Sequence, residues 1–163
     1  MKNNIILFLI ILSYLKPLFY IIKKFRNKVS LSTIICNLEC RNYIKTYLTL
    51  LSFFIILYEL NRNNLYSLLI MLFFIYNSIN MINFDENNKN HIIYATGLFF
   101  SLFLFMMLHY NKNYFLKKLY YIQCIFYTIF IYLMLNNLSI IVIESLILIN
   151  FGIYFSILHF YSQ

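Results

Sequence analysis

Six apolar stretches, each about as long as a bilayer is thick, follow one another along this chain with only short polar links between them. A helix needs about 17–25 residues to cross the hydrocarbon of a bilayer. The stretches lie at about 4–22, 44–60, 65–82, 92–110, 114–135 and 138–160. Their separators are rich in asparagine: Asn61–Asn64 after the second, Asp85–Asn90 after the third, Asn111–Asn113 after the fourth, and Asn136-Asn137 after the fifth. Links this tight make consecutive helices antiparallel neighbours. A β-barrel strand would alternate polar and apolar residues over about ten positions, and no such alternation runs through these stretches. The sequence therefore predicts an all-α fold: one polytopic membrane domain over residues 1–163, with about six spans.

Composition supports a lipid environment. The chain is 63% hydrophobic and only 11% charged, against about 25% charged in an ordinary soluble domain. A small soluble domain leaves much of its surface in water and has no place for so much apolar area. One alanine, one proline, two glycines and no tryptophan stand among abundant Ile, Leu, Phe, Tyr, Asn and Lys. That bias points to an AT-rich coding sequence, and it lowers the weight of any single Asn or Tyr. Small-xxx-small packing motifs are nearly absent, so Leu, Ile, Phe and Ser must make the helix contacts.

The formal charge is +8. Basic residues beside apolar helices favour an anionic membrane surface, so membrane lipids, anionic ones included, are the expected partners. The Lys and Arg residues do not gather on a soluble module, which argues against nucleic acid. The segment from Lys23 to Lys45 reads as the main extramembrane loop, with Lys23, Lys24, Arg26, Lys28, Arg41 and Lys45. Within it, Val29 to Leu38 is amphipathic enough to lie on a membrane surface. Loops one, three and five together carry seven Lys/Arg against five on the other side, so the positive-inside rule leans towards a cytosolic first loop. The first stretch resembles a signal peptide in carrying Lys2 before a long apolar run, but no small-residue cleavage site follows it. It reads as a retained span.

Few residues carry chemistry. Glu144 lies about two turns into the sixth stretch, where an acidic group must be paired, hydrated or protonated. His91 opens the fourth stretch, where it can meet a phosphate headgroup or titrate near neutrality. Glu59 and Arg62 are three apart at the end of the second stretch and can pair on one helix face. Asn77 and Asn80 share a face of the third, suited to interhelical hydrogen bonds. His109 and His159 fall near helix ends and read as interfacial. Cys36 and Cys40 fall in the first loop and Cys124 in an apolar run. Without a matching His/Cys pair they make no zinc site, and they read as free thiols. Neither a phosphate-cradling glycine loop, nor Gly-x-Ser-x-Gly, nor His-Glu-x-x-His is present. No cofactor or metal is expected.

Three stretches together carry a family resemblance. His91-Ile-Ile-Tyr-Ala95-Thr-Gly97-Leu-Phe-Phe100 resembles the start of the fourth span in the DRAM/Frag/Sfk family of six-span membrane proteins. Glu144-Ser-Leu-Ile-Leu-Ile-Asn-Phe151-Gly-Ile-Tyr154-Phe155 resembles that family's last span, and Arg62-Asn63 is similar in placement to the polar start of its third. The resemblance covers roughly residues 58–160. It implies a multispan protein of endomembranes or the plasma membrane. Members are linked to autophagy at lysosomes, lipid remodelling of GPI-anchored proteins and phospholipid asymmetry. The expectation is thus a membrane protein of this type that handles lipid or regulates membrane composition, with no catalytic motif in view. The alternative is a small proton- or ion-coupled channel or carrier that uses Glu144. A lipid enzyme with His91 as acid or base lacks a recognisable nucleophile.

Overall fold

The computed structural model describes residues 2–24, 34, 38–84, 88–110, 114–136 and 140–161. Six helices account for nearly all of them: α1 (Lys2–Lys24), α2 (Leu38–Arg62), α3 (Leu65–Asn83), α4 (Lys89–His109), α5 (Tyr114–Leu135) and α6 (Ile140–Tyr161). No strand occurs among the described residues. Among the described residues, five helices are long and apolar enough to cross a membrane. The exception is α5, which has the length, at 22 residues. Lys117 and Lys118 stand near its start and Gln123 at its middle. Its outward face is still apolar, with Ile122, Ile125, Ile129 and Ile131 exposed. The protein is a membrane protein, and its surface shows why: Phe8, Phe53, Ile93, Ile125 and Ile153 are each more than half exposed. Water would not tolerate such a surface; lipid tails cover it at no loss.

Helix boundaries follow the polar separators closely. The largest departure is α2, which starts at Leu38 rather than near residue 44. The polar stretch before Ile44 is helical because it presents one apolar stripe: Cys40 and Ile44 are buried against Leu18, Ile21 and Ile82. Lys23, Lys24, Arg41 and Lys45 therefore belong to helices and not to a loop, and Cys40 is a buried free thiol within α2. Arg26, Lys28, Cys36 and most of Val29–Leu38 lie outside the described residues.

Consecutive helices run antiparallel. Tyr20 of α1 stacks near Tyr43 of α2, with ring centroids 4.7 Å apart. Tyr76 of α3 meets Tyr94 of α4 edge-on at 6.0 Å. Gln123 of α5 and Asn150 of α6 exchange two amide hydrogen bonds, one of them 3.1 Å long. The turn between α2 and α3 is tight. Asn63 takes a left-handed backbone (φ 55°), which asparagine tolerates better than most residues. Asn64 then caps α3 by accepting from the Ser67 N–H at 3.1 Å. The main core is aromatic and aliphatic: Phe74, Leu102, Phe105, Phe151, Phe155 and Leu158 are buried together. Phe105 stacks on Phe155 at 5.6 Å and meets Phe151 edge-on at 5.8 Å.

Candidate functional site

A buried polar cluster sits at the end of the bundle where α2, α4 and α6 finish and α1 begins. The local sequence places each member. Tyr58, Glu59 and Arg62 occupy the last two turns of α2, at a spacing that keeps them on one face. His109 is the last residue of α4, and His159 lies in the last turn of α6. Asn4 lies in the first turn of α1. Tyr58, Glu59, His109 and His159 are at most 1% exposed.

Two connected chains of hydrogen bonds run through the cluster. In the first, Asn4 Oδ1 lies 2.9 Å from His159 Nε2, and His159 Nδ1 lies 2.6 Å from the Tyr58 hydroxyl. An amide oxygen only accepts, so Nε2 carries the proton and donates to it. Nδ1 is then the acceptor for the Tyr58 O–H. In the second, Arg62 donates to Glu59 Oε1 at 3.4 Å and, from its other terminal nitrogen, to His109 Nε2 at 3.4 Å. His109 Nδ1 donates to the Phe105 carbonyl at 2.8 Å. The Arg62 guanidinium joins the two chains, because it stands 5.5 Å from the centre of the Tyr58 ring. The Arg62 side chain is 11% exposed, so the cluster has an edge that faces outward.

Beside this cluster lies an apolar groove between α1 and α6, with a volume of about 300 Å³. Ile11 and Tyr14 form one wall, Gly152 and Phe155 the other, and Leu51 and Met71 line it further. The mouth faces outward at Ile153 and Phe160, both more than half exposed. Gly152 leaves the space that a side chain would fill, since a Cβ there would come within 3.4 Å of the Tyr14 ring. The Tyr14 hydroxyl is buried with no hydrogen-bond partner among the described residues. Phe155 belongs to both features: it lines the groove and packs on Tyr58 at 5.2 Å between ring centroids. Phe160 likewise lines the groove and meets the His159 ring at 5.2 Å.

Of the four residues singled out in the sequence, Glu59 and Arg62 come together here as an ion pair. His91 and Glu144 stand elsewhere. His91 is about 27 Å from His109 along α4, and Glu144 about 22 Å from His159 along α6, at 1.5 Å per residue. His91 is buried, and its Nδ1 lies 3.1 Å from the Met81 carbonyl and 3.2 Å from that of Phe84. Arg41 reaches the Ile82 carbonyl from the other side at 2.9 Å. The two side chains thus satisfy the carbonyls that α3 leaves open at its C-terminus. His91→Ala is expected to lower unfolding stability by about 1–2 kcal/mol, measured in mixed detergent micelles. A change below about 0.3 kcal/mol would mean that water closes the helix end equally well. Glu144 is half-buried in the second turn of α6.

His109 and His159 lie at the helix ends where the sequence put them, and both are buried members of the cluster. Near-uniform apolarity hides the buried side of α4 and α6, and their partners lie 47 and 101 residues away in sequence. The spacing of Glu59 and Arg62 was the one local signal that pointed to this place. Among the described residues no group of three or more His, Cys, Asp or Glu can hold a metal ion. No family model, curated protein or solved structure matches the chain.

Proposed function

We propose that this is a lipid-handling membrane protein that seats a hydrocarbon tail in the α1–α6 groove and turns the lipid's polar end towards the Asn4–His159–Tyr58 chain and Arg62. The continuity of groove and cluster through Phe155 and Phe160 carries the reading. An apolar channel that opens sideways accepts a ligand already dissolved in the bilayer. The partly exposed edge of the Arg62 guanidinium at one end gives that ligand an orientation. The family resemblance of residues 58–160, with its setting in endomembranes or the plasma membrane, belongs to the same proposal.

The test is the lipid that stays with the protein through purification in detergent, quantified by mass spectrometry. Gly152→Leu fills the groove. It is expected to retain at least about fivefold less lipid than the wild type, equivalent to about 1 kcal/mol of lost contact. Gly152→Ala leaves ordinary van der Waals distance to Tyr14 and is expected to keep its lipid, which separates occlusion of the groove from damage to the fold. Equal retention by the wild type and Gly152→Leu would sink the proposal.

A further inference from the structure

At the opposite end of the bundle from the polar cluster, α1 and α2 carry a row of three tyrosine rings with an ammonium at each end. Tyr20 and Tyr43 have centroids 4.7 Å apart, and Tyr43 and Tyr47 4.8 Å. Lys16 Nζ stands 5.6 Å from the centre of the Tyr47 ring. Lys24 Nζ stands 5.7 Å from that of Tyr20 and donates to its hydroxyl at 3.4 Å. Lys16, Tyr20 and Lys24 are exposed. The rows of side chains on two helices thus form one continuous outward-facing strip.

The depth of Lys16 is what needs an explanation. Lys24 ends α1, so Lys16 lies eight residues, or about 12 Å, further into the span. An ammonium at that depth is tolerated when it snorkels, when the bilayer thins around it, or when it finds a counter-charge. Among the described residues no carboxylate pairs with Lys16. The Tyr47 face receives the ammonium partway, but a ring carries no net charge. The missing component is an anion that belongs to the membrane.

We infer that the Lys16–Tyr47–Tyr43–Tyr20–Lys24 strip is a binding site for the phosphate headgroup of an anionic phospholipid. The phosphate meets the Lys16 ammonium and the tyrosine hydroxyls, and the rest of the headgroup extends towards Lys24. A zwitterionic lipid brings its own cation into a strip that already holds two, so the site discriminates by charge. Nothing in this inference depends on the α1–α6 groove, which lies on the other side of α1.

The experiment measures lipid binding to the full chain in detergent by native mass spectrometry. Phosphatidylglycerol and phosphatidylcholine of identical tails are compared, with inorganic phosphate as a third probe. The wild type is expected to bind one phosphatidylglycerol more tightly than phosphatidylcholine. Lys16→Gln and Lys24→Gln should each weaken that binding by about fivefold, and the double variant by about 25-fold, with phosphatidylcholine unaffected. Gly152→Leu should leave this affinity unchanged, so the strip and the groove stand or fall separately. Equal binding of the two lipids, or an unchanged affinity in the double lysine variant, overturns the inference. Competition by inorganic phosphate at the lipid's own concentration overturns it too, because the site would then recognise a soluble anion.

Discussion

Replacing Arg62 by methionine is expected to lower unfolding stability by about 3 kcal/mol, the usual cost of breaking a buried ion pair from one side. Glu59 is 1% exposed, and the guanidinium 3.4 Å away is its cationic neighbour in the cluster. Methionine keeps most of the volume and removes the charge. The informative variant is the double one. Replacing the pair together, as Glu59→Leu with Arg62→Met, removes both desolvated charges and should recover most of the loss. Equilibrium unfolding in mixed detergent micelles measures both. If Arg62→Met alone falls within about 0.5 kcal/mol of the wild type, the pair behaves as a solvated surface contact and the cluster is wetter than its burial implies.

Gly97→Ala is expected to cost about 2 kcal/mol, from overpacking between α3 and α4. A Cβ at this position would land on the amide of Asn77, 2.8 Å from its Cγ. That amide has little freedom to move, since Asn77 is 4% exposed and donates to the Phe73 carbonyl at 2.7 Å. The clash names its own remedy. Asn77→Ala combined with Gly97→Ala removes the amide and should restore stability to near that of Asn77→Ala alone. Additive losses in the double variant would show that the glycine serves some purpose other than making room for Asn77.

The legible part of this protein is the part written in contiguous residues. Helix ends could be read from Asn61–Asn64 and Asn111–Asn113 because polar groups cannot stay in hydrocarbon, and that rule acts on each segment alone. The start of α2 was missed because Arg41 and Asn42 look like loop residues. Their helix exists through packing of Cys40 and Ile44 against α1 and through the Arg41 bond to α3, contacts that no local pattern reports. The same limit governed the site. Glu59 and Arg62 are neighbours on one turn, so their pairing could be read. His109 and His159 lie on helices that are apolar on nearly every side, and apolarity all round does not say which side is inside. His91 stood out for its chemistry, yet its ring closes the end of a neighbouring helix.

The paired amides of Gln123 and Asn150 bear on how the chain enters its membrane during synthesis. α5 carries Lys117 and Lys118 near its start and a buried glutamine at its middle, groups that weigh against its entering lipid by itself. A nascent chain that has not yet made α6 would offer the Gln123 amide to hydrocarbon with nothing to receive it. Once Asn150 emerges, each amide supplies the donor and the acceptor that the other lacks, and the pair can partition as a hairpin. The amide pair therefore favours entry of α5 and α6 into lipid as one hairpin over entry of α5 alone.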